Sequence, residues 1–178
     1  MPGYQYCLFD TAFGRCAIAW GDHGVRAASF PEDCDDKTVA RMTPAAPNAI
    51  AGSPSGKIQD AICGVQTLLE TGDADLSQTP IDDRQLNGFD KSVLSLTSEI
   101  APGITRTYGE LAKTLGDIRL SQRVGQALGR NPIPIIIPCH RVIGADGRMT
   151  GFSAPGGAEL KRRLLKREGA LAPDLFDL

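Results

Sequence analysis

The sequence has little of what marks several large protein classes. Aromatic residues make up 6% of its 178 residues, and only two histidines occur, His23 and His140. No apolar run approaches the roughly 18 residues that a membrane helix needs, and the longest, 133–137, contains a proline. The first residues lack the basic and then apolar stretches of a secretion signal. We therefore expect a soluble, cytoplasmic protein that does not bind membranes.

The cysteines do not form a recognisable framework. There are five, an odd number, and no two have CxxC spacing. Without a secretion signal this argues against a set of disulfides, and so few histidines give little support to a zinc site. The cysteines are Cys7, Cys16, Cys34, Cys63 and Cys139. Most are expected to be small buried apolar residues.

Charge is distributed unevenly along the chain. Residues 1–85 hold six of the 19 basic residues but twelve of the 21 acidic ones, so this part carries about −6 and the remainder about +4. A basic second half on an acidic protein favours a polyanion, usually nucleic acid, as the partner of that half. A random division of charge is the alternative.

Residues 1–85 have the pattern of a small α/β domain. Three stretches rich in aromatic and β-branched residues, 4–10, 15–20 and 25–30, predict an antiparallel meander. Residues 31–56, acidic and then rich in proline and alanine, predict a long loop. Apolar residues at helical spacing predict a helix over 57–71 that ends at Gly72.

Residues 86–170 have the pattern of a helical domain, followed by a tail at 171–178. Apolar spacing predicts a helix over 89–100, and Thr107 with Glu110 has the form of a capping box that opens a second helix. A third helix is predicted over 121–130. The last two, joined by a short turn, fit a helix-turn-helix, although many such helix pairs bind no DNA.

The segment 133–142, Ile-Pro-Ile-Ile-Ile-Pro-Cys-His-Arg-Val, holds the candidate chemistry. Its prolines and apolar residues predict a stiff, buried, extended segment that delivers Cys139 to a fixed place. A thiol becomes a nucleophile as the thiolate, and His140 is an adjacent base, with Glu168 as a carboxylate to orient it. The alternative is a core cysteine beside a satisfied histidine.

Several motifs together resemble those of the O6-alkylguanine-DNA alkyltransferases, also called methylated-DNA–protein-cysteine methyltransferases. They are Asn-Pro at 131–132, Pro-Cys-His-Arg-Val at 138–142, the segment 103–112, the segment 151–157 and the helix ending at Glu168. The resemblance covers about residues 86–170. It implies an α+β protein, with an antiparallel, RNase H-like sheet in a small N-terminal α/β domain and a winged helix-turn-helix in the helical C-terminal domain.

The resemblance also implies a role for each residue of the motifs. Cys139 is the acceptor of the alkyl group from O6 of guanine, with O4-alkylthymine as a possible second substrate, in one irreversible transfer. His140 deprotonates Cys139 through a water held by Asn131, and Glu168 lies behind the histidine. Tyr108 donates a proton toward the departing guanine.

The remaining implied residues shape the pocket and contact DNA. Because the target atom is inaccessible in a duplex, the nucleotide must be flipped out into a pocket. We expect a monomer that binds double-stranded DNA carrying alkylated guanine, with neither metal nor cofactor. The pocket residues are Tyr108, Gly151, Phe152 and Ser153; the DNA-binding residues are Ser121, Gln122, Arg123, Ala127, Arg130 and Arg141.

Two positions depart from the family pattern. Gln122 stands where an arginine usually fills the gap left by the flipped nucleotide, and Thr150 stands where a second glycine is common. Two other function classes therefore stay open. One is an alkyl-lesion-binding protein with weak or altered repair, which Gln122 favours and the retained Cys139 disfavours. The other is a cysteine hydrolase or redox enzyme, for which the sequence shows neither an oxyanion motif nor a second nearby cysteine.

Overall fold

The computed structural model describes residues 3–150 and 152–173. Strands β1 (Gln5–Thr11), β2 (Gly14–Gly21) and β3 (Gly24–Ser29) form the predicted antiparallel meander, which lies within one residue of the expected bounds. A short fourth strand, β4 (Ile50–Ala51), pairs in parallel with β1, giving the order β3-β2-β1-β4. Alternate residues of β2 point to opposite faces of this sheet, so each face needs its own cover.

The cover of one face corrects the prediction of a long loop over 31–56. That segment contains helix α1 (Asp35–Ala40) as well as β4. Met42 and Ala46 of this segment pack on three alanines of the sheet in a small core of their own, made of Ala17, Ala19, Ala27, Met42 and Ala46. Small side chains make this layer thin, and its alanines, prolines and acidic residues carry no clear apolar periodicity.

Helix α2 (Gly56–Thr71) covers the other face and confirms the predicted helix. Its apolar side buries Ile58, Ile62, Val65 and Leu69 in the main core, together with Cys16 and Ile18 of β2. Gly72 ends the helix in the left-handed conformation, with φ of 78°, and its N–H donates to the carbonyl of Leu68. This is the glycine C-cap that the sequence predicts.

The second part of the chain contributes helices α3 (Gly88–Ser98), α4 (Tyr108–Thr114), α5 (Ser121–Gly129) and α6 (Gly157–Arg167). Two short strands, β5 (Arg106–Thr107) and β6 (Val142–Ile143), pair in parallel. A 3₁₀ turn at Ile118–Leu120 joins α4 to α5, so these helices form the predicted helix-turn-helix pair.

The two parts share the main core, which draws residues from β2, α2, α3, α5 and α6. At the edge of the sheet the Ala28 N–H donates to the carbonyl of Pro132, 3.0 Å away, and so ties β3 to the segment that precedes Cys139. The predicted α+β class is confirmed, while the domain boundary at 85/86 stays a prediction. Across 3–150 and 152–173 no helix has the length and apolarity to cross a membrane.

The capping box at the start of α4 is the local signal that the structure reproduces most directly. The Thr107 hydroxyl accepts from the Glu110 N–H at 3.1 Å, and the Glu110 carboxylate accepts from the Thr107 N–H at 2.6 Å. Two helix-end donors are thereby satisfied reciprocally, and Tyr108 is fixed as the first residue of α4.

We predict that Thr107→Ala lowers the free energy of unfolding by about 1 kcal/mol, because it removes this N-cap acceptor. Urea denaturation measures the change. Thr114→Ala in the same helix is the matched control, since the Thr114 hydroxyl only donates to the carbonyl of Glu110, which lies within the same helix. Equal losses in the two variants would contradict a capping role for Thr107.

A buried cysteine, histidine and carboxylate behind the helix-turn-helix pair

The turn that carries Cys139 differs from the predicted extended segment. The Ile137 N–H donates back to the carbonyl of Ile133 at 2.9 Å, and Ile135 has φ of 75°, so the chain coils instead of running straight. Burial of four isoleucine side chains stabilises this turn: Ile133, Ile135, Ile136 and Ile137. Cys139 begins a short 3₁₀ turn, Cys139–Arg141, with 9% of its surface exposed.

Asn131 holds both ends of this turn. Its side-chain N–H donates to the carbonyl of Ile137 and its side-chain oxygen accepts from the Ile133 N–H, both at 3.0 Å. Burial raises the pKa of the Cys139 thiol, and the Asn131 side chain opposes part of that rise. Asn131 thus lies at the candidate site, as predicted, and also fixes the shape of the turn.

Glu168 sits between His140 and Arg141. One carboxylate oxygen lies 2.8 Å from Nε2 of His140, and Arg141 donates to the two carboxylate oxygens from Nε and Nη2, both at 2.9 Å. Burial raises the pKa of Glu168, but the bonds to His140 and Arg141 lower it more, to about 2. The carboxylate is therefore ionised and accepts hydrogen from Nε2, which leaves Nδ1 of His140 free to accept a proton.

His140 is fully buried. In the described part of the chain, its Nδ1 is the one buried side-chain nitrogen or oxygen that has no hydrogen-bond partner. Burial lowers the pKa of His140 while Glu168 raises it, and burial raises the pKa of Cys139 against the effects of Asn131 and Lys161. The resting site therefore favours a neutral thiol and a neutral imidazole.

Lys161 is a site residue that the sequence analysis missed. Its ammonium is buried, donates to the carbonyls of Val142 and Thr150 at 2.6 and 3.2 Å, and lies 5.8 Å from the Tyr108 ring centroid. Burial lowers its pKa to about 8, and its charge lowers the pKa of Cys139. Helical spacing is the signal that could have located it. One face of the predicted helix, at the 3.6-residue period, carries Lys161 together with Leu164, Leu165 and Glu168.

Tyr108, Thr150 and Ser153 make contacts that connect α4, α5 and the N-terminal part. The Tyr108 hydroxyl donates to the carbonyl of Thr150 at 2.7 Å, and burial, with the Cys139 charge as the lesser cause, raises the pKa of the phenol. Ser153 donates to the carbonyl of Gly129 at 3.2 Å, and its own carbonyl accepts from Arg41 of the N-terminal part. The predicted pocket residue Gly151 lies outside the described residues.

A cavity of about 500 Å³ opens between the sheet and the helices, and Cys139 lines it. Asn131, Phe152 and Ser153 line the same cavity, so the structure brings these predicted residues together. Phe152 packs edge-on against Phe30 of the N-terminal part, with ring centroids 6.2 Å apart. The N-terminal part therefore helps to form the pocket wall.

The predicted DNA-binding residues divide into two groups. Gln122, Arg123 and Arg130 are exposed, although Arg123 lies 4.1 Å over the Phe89 ring and Arg130 donates twice to Asp90. Ser121, at the start of α5, is partly exposed and donates to the carbonyl of Ile118.

Two of the residues predicted to contact DNA are buried in this structure. Ala127 is buried in the main core, because it lies on the inner face of α5. Arg141 is buried because Glu168 and the carbonyl of Ile100 hold its guanidinium.

The described residues contain no group of three or more His, Cys, Asp or Glu side chains arranged to hold a metal ion. The fold and site instead define a class of protein in which a buried cysteine, backed by a histidine and a carboxylate, lies beside a helix-turn-helix pair. The comparisons with known proteins then identify the family.

The family described as 6-O-methylguanine DNA methyltransferase, DNA binding domain, matches residues 88–170. The methylated-DNA–protein-cysteine methyltransferase of Methanothermobacter thermautotrophicus is 34% identical over 152 residues, which cover 85% of this chain and 78% of that protein. The protein of the same name from Methanosarcina acetivorans is 54% identical over 82 residues, which cover 46% of this chain and about half, 51%, of that relative.

Solved structures agree with these matches. The O6-methylguanine methyltransferase of Mycobacterium tuberculosis has a TM-score of 0.73 at 28% identity, with 98% of each chain covered. The chain belongs to the methylated-DNA–protein-cysteine methyltransferase family, which confirms the resemblance. The structure of M. tuberculosis OGT in complex with DNA has a TM-score of 0.72 at 28% identity, with 96% of each chain covered.

We predict that Glu168→Gln lowers the free energy of unfolding by about 3 kcal/mol near pH 7. The pKa of the Glu168 carboxyl is about 2 in the fold against an ordinary value of 4.5, so the ionised carboxylate stabilises the fold at pH values above 4.5. This contribution is complete above pH about 4.5 and is lost as the pH falls toward 2. Urea unfolding at several pH values should therefore show that the difference in the free energy of unfolding between the wild type and Glu168→Gln becomes smaller in acid.

Glu99→Gln is the control, because Glu99 is exposed and its replacement should change stability by less than about 0.5 kcal/mol at each pH. If the loss of unfolding free energy in Glu168→Gln stayed constant from pH 7 to pH 2, the conclusion that Glu168 is ionised in the fold would be contradicted.

Proposed function

We propose that this protein repairs alkylated DNA by moving an alkyl group from O6 of guanine irreversibly onto the Cys139 sulfur, once per molecule. One observation carries the proposal: a cavity-lining thiol lies next to a histidine whose Nδ1 is free to accept a proton while Glu168 holds Nε2. A histidine fixed in this tautomer is an oriented general base.

The proposed transfer balances within the protein and its substrate. The Cys139 proton passes to Nδ1 of His140, through a water held by Asn131, and Glu168 stabilises the imidazolium. The sulfur attacks the alkyl carbon, the carbon–O6 bond breaks, and a thioether forms. Tyr108 donates a proton to the departing guanine and is reprotonated from the site, so the thiol proton ends on guanine. Because a thioether is stable, the cysteine is consumed.

The position of Cys139 supports base extrusion as part of the reaction. Its sulfur lines an inter-element cavity and only 9% of the residue is exposed, so a base inside a duplex does not reach it. Flipping the nucleotide into the cavity solves this problem. The exposed residues at the start of α5 are the natural contacts for the duplex, as in a recognition helix.

The direct test is intact-mass analysis after incubation with O6-methylguanine duplex DNA. We expect one added methyl mass per chain, on the peptide containing Cys139, and none in Cys139→Ser. Cys63→Ser, which changes an exposed cysteine in the same way, should take up methyl like the wild type. Repeated turnover, or methylation on another cysteine, would contradict the proposal.

A second candidate is an alkyl-lesion-binding protein whose repair is slow, and Gln122 favours it. Glutamine is uncharged and has two donors where an arginine has five and a permanent charge. Arg123 does not substitute for it, because its guanidinium stacks on Phe89. In this account duplex binding is retained, the chemistry at Cys139 is intact, and base extrusion limits the rate.

We predict that Gln122→Arg speeds methyl transfer from duplex DNA by about tenfold, the equivalent of about 1.4 kcal/mol in the barrier. Transfer from free O6-benzylguanine, which needs no extrusion, should change little. Gln126→Arg adds the same charge one helical turn along α5 and controls for electrostatic attraction alone. Equal gains from both variants, or none from Gln122→Arg on the duplex, would rule out a deficit at position 122.

A further inference from the structure

The end of α2 in the N-terminal part touches the end of α6, where Glu168 lies. Gly72 is buried there in the left-handed conformation, and a Cβ built on it would lie 1.8 Å from the carbonyl oxygen of Arg167 and 3.0 Å from Cα of Glu168. Real Cβ atoms do not approach other atoms this closely. The position therefore requires glycine for two reasons, the φ of 78° and the close contact with the backbone of α6.

Other contacts hold the same stretch of α6. The Arg167 guanidinium donates to the carbonyl of Glu70, 2.8 Å away in the last turn of α2, and lies 5.8 Å from the centre of the Phe13 ring. From the C-terminal part, Gly103 has φ of 79°, and a Cβ there would lie 3.0 Å from the Glu168 carbonyl oxygen. The backbone at 167–168 is thus confined between two glycines.

This confinement matters because Glu168 has almost no freedom of its own. Its side chain is 2% exposed, and its carboxylate makes one bond to His140 and two to Arg141. A displacement of its backbone by a few tenths of an ångström lengthens bonds of 2.8–2.9 Å toward distances at which hydrogen bonds weaken. The backbone position of residue 168 thus sets the strength of the contact to His140.

We propose that Gly72 is a positioning residue for the thiol-activating pair. It seats the backbone of α6 so that Glu168 holds His140 in the orientation that accepts the Cys139 proton. The N-terminal part then contributes to the chemistry through a backbone contact, without touching substrate. The inference rests on the proposed function in treating Cys139 as the reacting thiol, but it concerns only how readily that thiol ionises.

The experiment measures the ionisation of Cys139 directly, without DNA or guanine. The full chain is labelled with iodoacetamide from pH 6 to pH 10, and the rate at Cys139 is read by peptide mass mapping, which separates it from the exposed Cys34 and Cys63. Gly72→Ala is compared with Gly56→Ala. Gly56 begins the same helix at φ of 52°, and a Cβ there would meet nothing within 4 Å, so that variant carries backbone strain without the contact.

We expect Gly72→Ala to raise the apparent pKa of the Cys139 thiol by about one unit, which slows labelling at pH 7 by about tenfold and slows it by a smaller factor at pH 10, where more of the thiol is ionised. Gly56→Ala should leave the profile unchanged. A merely structural role predicts the opposite sign, because a loosened fold exposes the buried thiol and speeds its labelling. Faster labelling at pH 7, or an unshifted profile, would overturn the proposal.

Gly103→Ala provides the test if Gly72→Ala does not fold, which circular dichroism would reveal. Its Cβ would press on the carbonyl oxygen of Glu168 at 3.0 Å, a milder disturbance of the same backbone, and it should shift the profile upward by a smaller amount. No shift in a folded Gly103→Ala would show that the backbone position of residue 168 does not set the ionisation of Cys139, which would overturn the proposal. The two proposals fail separately: a wild-type protein that takes no methyl from DNA contradicts the repair function, whereas the labelling profile judges only the positioning of Glu168.

Discussion

The buried carboxylate of Glu168 is the constraint on which the site depends. His140 and Arg141 are buried next to each other in one 3₁₀ turn, and this carboxylate compensates the charge of Arg141 while it accepts a hydrogen bond from His140. Removing one partner of a buried ion pair costs several kcal/mol, because the other charge is left without compensation. Structural stability and the orientation of the base are therefore properties of the same three side chains.

The sheet and the helices meet around this group instead of merely lying side by side. The Ala28 N–H in β3 donates to the carbonyl of Pro132 before the turn that carries Cys139, Phe30 packs on Phe152, and Gly72 contacts the end of α6. Arg41 reaches the carbonyl of Ser153 from the same side. The N-terminal part thus supports the turn, the pocket wall and the carboxylate through separate contacts.

Most elements of the fold could be predicted because their signals are local. The capping box at Thr107, the glycine after α2 and the apolar spacing of α2 and α3 all depend on residues a few positions apart. Helix α1 was missed because its layer is built from alanines, and the turn at 133–138 was taken as extended because an apolar run without periodicity does not distinguish the two. The position of Ile135 in the left-handed region has no sequence signal.

The motif predicts which residues belong to the site, but it does not predict which of their side chains point inward and which face solvent. Cys139, His140, Asn131 and Glu168 do come together, whereas Arg141 and Ala127 point inward and Lys161 was overlooked. Whether a polar residue near a motif faces solvent or a buried partner depends on contacts with residues far away in sequence. Glu168 lies 27 residues after Arg141 and is its main partner.

The left-handed conformation of Ile135 also bears on when during synthesis the thiol becomes reactive. A β-branched residue in that region costs about 1–2 kcal/mol, and only burial of the surrounding isoleucines offsets this. While the chain is emerging, Ile135 prefers an extended backbone, and Cys139 is an ordinary exposed thiol without an oriented base. Glu168 follows Cys139 by 29 residues (168 − 139), so the buried group of Cys139, His140 and Glu168 forms only after residue 168 has been synthesised.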